Sequence, residues 1–92
     1  MKLYGFDTDD LSGLTLAQIA GLIRADWSAQ KGGVNYAAKP YLEAMSTLES
    51  VDQSYYQDSG KSIVRYFLSN AQLWRGEVAK AVKVELKRRV KW

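Results

Sequence analysis

The fold class is set most clearly by the stretch from Trp74 to Lys91, which reads WRGEVAKAVKVELKRRVK. Its apolar residues recur at spacings of three and four and so share one side of a helix. They are Trp74, Val78, Ala81, Val82, Leu86 and Val90. The opposite side collects Lys80, Lys83, Lys87 and Lys91. The stretch therefore predicts a two-faced helix over about 73–91, with cations that suit the negative end of the helix dipole.

The same spacing predicts three earlier helices, over roughly 15–30, 38–52 and 59–70. Thr15 stands where the first of them begins, and Gln18 completes a capping-box pattern with it. Pro40 fits only the first turn of the second helix, because later in a helix its ring would clash and its missing N–H would be needed. Asp58 or Ser59 is expected to cap the third helix.

Each predicted helix has one apolar stripe, and short loops between such helices favour their packing against one another. A chain of 92 residues is too short to bury two separate cores, so residues 1–92 are expected to form one domain. We predict an all-α fold, a compact bundle of about four helices with short loops and an irregular N-terminal lead-in.

Two residues of the last segment do not fit a regular amphipathic helix. Gly76 lowers helix stability, which hints at close packing or a partner contact at that position. Arg89 falls near the centre of the apolar side, so we expect it to reach past the helix end or to meet a carboxylate such as Glu85. Glu77, by contrast, suits the first turn of a helix, where a carboxylate is favoured.

Much of the usual chemistry of enzymes is excluded by residue type, since the chain has neither cysteine nor histidine. Disulfides, thiol nucleophiles, zinc sites of the Cys/His kind and triads with histidine are therefore ruled out. No spacing singles out a pair of carboxylates for hydrolysis. We predict a protein that is not an enzyme and uses no metal or cofactor.

The beginning of the chain does not resemble a signal peptide, because Met1-Lys2-Leu3-Tyr4-Gly5 leads straight into the acidic Asp7-Thr8-Asp9-Asp10. No apolar run approaches the roughly 18 residues that a membrane span needs. We therefore expect a cytoplasmic protein without a membrane partner.

The formal charge of +3 is sorted along the chain. Residues 1–60 have a net charge of −4, residues 61–71 of +2 and residues 72–92 of +5. The last helix could therefore neutralise phosphates, and such binding would weaken steeply with salt. Lysines commonly face water, however, and the acidic first sixty residues could equally dock against this helix.

Aromatic residues provide a second kind of candidate surface. Trp74 is expected in the core, yet its pairing with Arg75 has the composition of a binding hot spot. Tyr55 and Tyr56 lie in a connection, where one should cover the end of the core and the other could meet a partner. The candidate surface for a partner or a nucleic acid is therefore Trp74, Arg75, Lys80, Lys83, Lys87, Arg88, Lys91, Tyr55 and Tyr56.

Three blocks stand out within roughly residues 65–91, namely Tyr66-Phe67-Leu68-Ser69-Asn70-Ala71, Trp74-Arg75-Gly76-Glu77 and Lys83-Val84-Glu85-Leu86-Lys87. Together they resemble a small uncharacterised helical family of phages, mobile elements and some bacterial genomes. The resemblance implies a small accessory protein without a known activity, and it carries over no functional residues.

The leading hypothesis is a non-enzymatic helical binding module, an accessory or regulatory protein that acts on a protein partner. By analogy with phage accessory proteins, it could inhibit a host or defence protein. Nucleic-acid binding through the basic C-terminal helix is the alternative, and a self-assembling structural subunit is a further one.

Overall fold

A computed structural model describes residues 2–91 and shows four α-helices accompanied by two short β-hairpins. The elements in chain order are β1 (Lys2–Leu3), β2 (Phe6–Asp7), α1 (Leu16–Ser28), a 3₁₀ turn (Tyr36–Ala38), α2 (Lys39–Met45), β3 (Ser54–Tyr55), β4 (Asp58–Ser59), α3 (Gly60–Ser69) and α4 (Glu77–Val90). Their envelope measures 33 × 28 × 21 Å. The prediction of a compact, mostly helical fold is confirmed.

The helix starts follow the predicted capping residues. The Thr15 hydroxyl accepts the N–H of Gln18 at 3.1 Å, and the Gln18 side chain accepts the N–H of Thr15 at 2.9 Å, which completes the capping box of α1. Ser59, not Asp58, caps α3, since its hydroxyl accepts the N–H of Ser62 at 3.1 Å. Pro40 lies in the first turn of α2, as its missing N–H requires.

The prediction of an all-α fold is wrong in one respect, because two antiparallel hairpins lie between or before the helices. In β1–β2 the connecting Tyr4 and Gly5 both have positive φ, 54° and 86°, as a two-residue hairpin turn favours. In β3–β4 the connection contains Tyr56, with φ of 55°. Each strand has only two residues, too few for the alternating pattern by which strands are predicted.

The second helix is shorter than the predicted 38–52 and ends at Met45. The hydroxyls of Ser46 and Thr47 donate to the carbonyls three residues earlier, at 2.6 Å and 2.8 Å, and turns follow. Hydroxyl side chains that bond nearby carbonyls compete with the regular helical pattern. The apolar periodicity nevertheless continues past the helix, which is why the sequence predicted a longer one.

The segment after α2 contributes to the core and to the start of α1. Leu48 and Val51 are both buried. The carbonyls of Leu48 and Glu49 accept the N–H groups of Ala17 and Leu16, at 2.8 Å and 3.0 Å. These N–H groups belong to the first turn of a helix and have no partner within it. The segment after α2 is therefore not helical, yet it keeps Leu48 and Val51 buried as the predicted helix would have done.

The last helix begins at Glu77 and not near residue 73. Gly76 stands at its N-cap with φ of 111°, a conformation that side-chain-bearing residues rarely adopt. An added Cβ there would meet only the Gln30 side-chain nitrogen, at 3.8 Å. Gly76 is thus explained by the backbone bend before α4, and the expectation of close helix packing at that position is wrong.

An aromatic cluster joins α1, α3 and the turn that precedes α4. The rings of Trp27 and Trp74 stack with centroids 5.8 Å apart, and Phe67 meets both edge-on at 6.2 Å and 6.4 Å. All three side chains are buried. Arrangements of this kind add to the free energy gained by burial alone, so the cluster is expected to be the centre of stability.

A close approach of two backbone segments occurs at Gly60, the first residue of α3. Its N–H donates to the carbonyl of Gln53 at 2.7 Å. A Cβ at this position would lie 2.8 Å from the carbonyl oxygen of Val51 and 2.9 Å from its Cα. Only glycine therefore allows the loop before β3 to cross the start of α3 at this distance.

Candidate binding surface on the last helix

Trp74, which the sequence placed both in the core and among the candidate surface residues, is fully buried. Its indole N–H donates to the Asp26 carboxylate at 2.8 Å, so the polar edge of the ring has a partner inside the protein. The same carboxylate accepts from Gln30 at 3.1 Å and from the Tyr4 hydroxyl at 3.2 Å. Trp74 therefore belongs to the core, and its ring is not part of the exposed surface.

The turn between Trp74 and α4 is held by one side chain from just beyond the end of α1 and one from α4. Gln30 donates to the carbonyl of Arg75 at 2.6 Å, and the Lys83 ammonium donates to the carbonyl of Trp74 at 2.7 Å. The same ammonium lies 5.9 Å from the centroid of the Trp74 ring. Lys83 is half-buried and thus stabilises this turn, in addition to whatever it presents to solvent.

Three cations lie close together beside this turn, and we call them the basic cluster: Arg75, Lys83 and Lys87. Burial lowers the pKa of Lys83, and the charges of Lys87 and Arg75 lower it further. Arg75 and Lys87 are exposed, as are the predicted Lys80, Arg88 and Lys91. The structure thus keeps most of the predicted cations at the surface, while Lys83 has a structural partner as well.

On the other flank of α4, Glu85 links two arginines and the N-terminal segment. Both Arg88 and Arg89 pair with the Glu85 carboxylate, Arg89 at 2.6 Å. Arg89 also donates to the carbonyls of Leu11 and Ser12, at 2.8 Å and 3.2 Å. The expected contact between Arg89 and Glu85 is confirmed, and Arg89 in addition fixes the segment that precedes α1 against α4.

Glu85 is held in its charged form. Its partial burial raises the pKa, but the hydrogen bonds and charges of Arg88 and Arg89 outweigh this, and the pKa of Glu85 lies below its usual value of 4.5. The ionised carboxylate therefore stabilises the folded state at pH values above this usual pKa, which the group has in the unfolded chain. This contribution is lost as the pH falls through the folded-state pKa.

Replacing Glu85 by glutamine is expected to lower the free energy of unfolding near neutral pH by an amount that disappears in acid. The difference from the wild type should be constant from about pH 6 to about pH 8 and shrink below about pH 4. Urea unfolding at a series of pH values measures it. Glu43→Gln, at an exposed position of α2, is the control, and a Glu85→Gln difference independent of pH would contradict the ion-pair role.

An open groove of about 450 Å³ separates α4 from the N-terminal turn, and we call it the acidic groove. It is lined by Thr8, Asp9, Asp10, Leu11, Glu77, Lys80, Ala81, Val84 and Glu85. Asp10 accepts the backbone N–H and the hydroxyl of Ser12, at 3.1 Å and 2.6 Å, and these bonds lower its pKa. Asp10 is therefore ionised near neutral pH.

Val84 lies between the two flanks of α4 and is 63% exposed. At the helical repeat it falls midway between Lys87 of the basic side and Ala81 of the acidic groove. Val84 was not among the surface residues predicted from the sequence. It could have been recognised there, since it is a single valine on the charged side of the predicted helix.

The two adjacent tyrosines of the β3–β4 hairpin differ in solvent exposure, as predicted. Tyr55 is half-buried and packs against the core, whereas Tyr56 is 88% exposed at the tip. Two further exposed apolar residues, Tyr36 and Leu73, line a second groove of about 390 Å³ beside Trp27. Neither was among the predicted surface residues. Tyr36 precedes the predicted second helix, and Leu73 stands at the start of the predicted last helix but is not one of its apolar-face residues.

The chain matches no family model, no curated protein and no solved structure in comparisons with known proteins. Within residues 2–91 no helix combines the length and the apolar character that crossing a bilayer requires. The same residues contain no group of three or more Asp or Glu side chains placed to hold a metal ion.

Proposed function

We propose that the protein is a non-enzymatic helical binding module and that the solvent face of α4 contacts a protein partner. The observation that carries the proposal is the mixed character of this face. Val84 is exposed at the middle of the helix, with cations on one flank and the acidic groove on the other.

A mixed face favours a protein partner over a nucleic acid. A phosphate backbone is bound best by a surface of uniformly positive charge, and the carboxylates of the acidic groove would repel it. Protein interfaces, by contrast, commonly combine apolar contact with charges of both signs that steer and orient the partner. Single exposed apolar residues are ordinary, but Val84 lines the groove together with the half-buried Ala81 and an edge of the buried Leu11.

Nucleic-acid binding is the second candidate, and the basic cluster favours it. Arg75 and Lys87 are exposed beside the half-buried Lys83, and Lys80 and Lys91 extend the positive flank. Such a surface would bind DNA or RNA without sequence preference, with an affinity that falls steeply as the salt concentration rises.

Site-specific cross-linking tests the proposed function. A photo-cross-linking amino acid replaces Val84 in one variant and Glu43, an exposed residue of α2, in a matched control. In cells that naturally contain the chain, we expect discrete cross-linked adducts from position 84. Protease should remove these adducts and nuclease should leave them intact, since the partner is a protein. Adducts of equal pattern and yield from both positions, or none from position 84, would contradict the proposal.

A salt titration separates the second candidate from the first. Labelled duplex DNA and single-stranded RNA are titrated with the protein from about 50 to about 200 mM salt, with fluorescence anisotropy as the measurement. We expect a dissociation constant no tighter than about 10⁻⁶ M, typical of non-specific binding. Tighter binding would favour the nucleic-acid function if Lys80→Glu/Lys87→Glu abolishes it. The control variant Lys31→Glu/Lys39→Glu should then leave the binding unchanged.

A further inference from the structure

We infer that the acidic groove receives a cationic, amphipathic helix of the protein partner. The inference rests on the proposed function and names the chemistry of the segment that the α4 face would bind. It follows from three properties of the groove, namely its length and apolar floor, its charge, and the way in which its walls are fixed.

The length and the floor of the groove fit one face of a short helix. Its lining residues on α4 extend from Glu77 to Glu85, which corresponds to about 12 Å along the axis, or a little over two helical turns. Val84 and the half-buried Ala81, with an edge of the buried Leu11, provide apolar contact along this length. A small cation would leave these residues uncovered, so the segment must also carry apolar side chains on the same face.

The charge of the groove selects cations. Its four carboxylates are those of Asp9, Asp10, Glu77 and Glu85, and Glu85 is paired with Arg88 and Arg89. Asp10 belongs to the N-terminal turn and Glu77 to α4, so they lie on opposite walls, and Lys80 is the one cation among the described residues that line the groove. An incoming segment with lysine or arginine beside its apolar residues would complement this arrangement, whereas an acidic segment would be repelled.

The walls of the groove are fixed before a partner arrives. Arg89 binds the carbonyls of Leu11 and Ser12, and Ser12 in turn holds the carboxylate of Asp10. The acidic wall is therefore tied to α4 by charge-assisted hydrogen bonds. A preformed site loses less conformational freedom on binding than a flexible one, which favours recognition of a short segment.

The test uses ¹⁵N-labelled protein and three synthetic peptides of about four helical turns, with NMR titration as the measurement. The first is an amphipathic helix of leucine, alanine and lysine, the second has glutamate at every lysine, and the third has the same lysines in a non-amphipathic glycine–serine order. We expect the first alone to shift the amide signals of residues 8–11 and 81–85.

Variants locate the binding site. Asp10→Asn/Glu77→Gln is expected to weaken binding of the first peptide about tenfold, since two charge contacts are lost. Asp52→Asn/Asp58→Asn removes the same formal charge at exposed positions outside the groove and should leave binding unchanged. A ¹H–¹⁵N spectrum of each variant without peptide establishes that the fold is retained.

Several outcomes of the peptide titration would overturn the inference. They are equal binding of the lysine and glutamate peptides, equal binding of the non-amphipathic peptide, or shifts that lie outside the groove. A second copy as the occupant would show as self-association in sedimentation equilibrium that Asp10→Asn/Glu77→Gln abolishes, and this would also overturn it. If cross-links form at position 84 while the peptide does not bind, the inference fails and the proposed function stands.

Discussion

Replacing Trp74 with alanine is expected to lower the free energy of unfolding by about 3–5 kcal/mol. The side chain is fully buried, stacks on Trp27 and meets the edge of Phe67. Its removal leaves a cavity at the centre of the aromatic cluster and takes the indole donor away from the Asp26 carboxylate. A part-buried carboxylate that loses a hydrogen-bond donor adds to the cost of the cavity.

Urea unfolding followed by far-UV circular dichroism measures this loss. Leu73→Ala is the matched control, because Leu73 adjoins Trp74 in sequence but is 70% exposed, and its replacement should cost less than about 0.5 kcal/mol. A cost for Trp74→Ala no larger than that of the control would contradict the placement of Trp74 at the centre of the core.

Gly60→Ala is expected to lower the free energy of unfolding by about 2–3 kcal/mol, a large effect for one added methyl group. The new Cβ would lie within 2.9 Å of backbone atoms of Val51, which cannot rotate away as a side chain can. The loop would have to move from the start of α3, and the bond from the Gly60 N–H to Gln53 would lengthen.

Gly21→Ala provides the opposite control within the same chain. Gly21 is an exposed residue in the interior of α1, and a Cβ there would have no neighbouring atom within 4 Å. Alanine is the better helix former, so this replacement should raise the free energy of unfolding by about 0.5–1 kcal/mol. Urea unfolding compares both variants, and stabilisation by Gly60→Ala would disprove the close approach.

The sequence predicted best where local chemistry decides the structure. The capping pair Thr15 and Gln18 and the periodicity of the apolar residues are properties of a few neighbouring positions, and α1 and α3 were located within one or two residues. The predicted second helix was too long because Leu48 and Val51 continue the apolar spacing in a segment that is held by tertiary contacts. Periodicity reports burial and does not by itself report helical backbone.

The candidate site was predictable only in part for a similar reason. The lysines of α4 could be assigned to one side of a helix from spacing alone, and most of them are exposed. The acidic groove could not be predicted, because its second wall comes from residues 8–11, far from α4 in the chain. Nor could spacing show that Lys83 binds the carbonyl of Trp74, since that contact depends on the bend at Gly76.

The bonds from Arg89 to Leu11 and Ser12 impose an order on the assembly of the nascent protein. Leu11 is separated from Arg89 by 78 positions. At ribosomal rates of roughly 5–20 residues per second, Arg89 is therefore synthesised about 10 s after Leu11. The groove wall is thus among the last parts to form. A ribosome-bound chain cannot engage a partner through the groove until α4 has emerged from the exit tunnel.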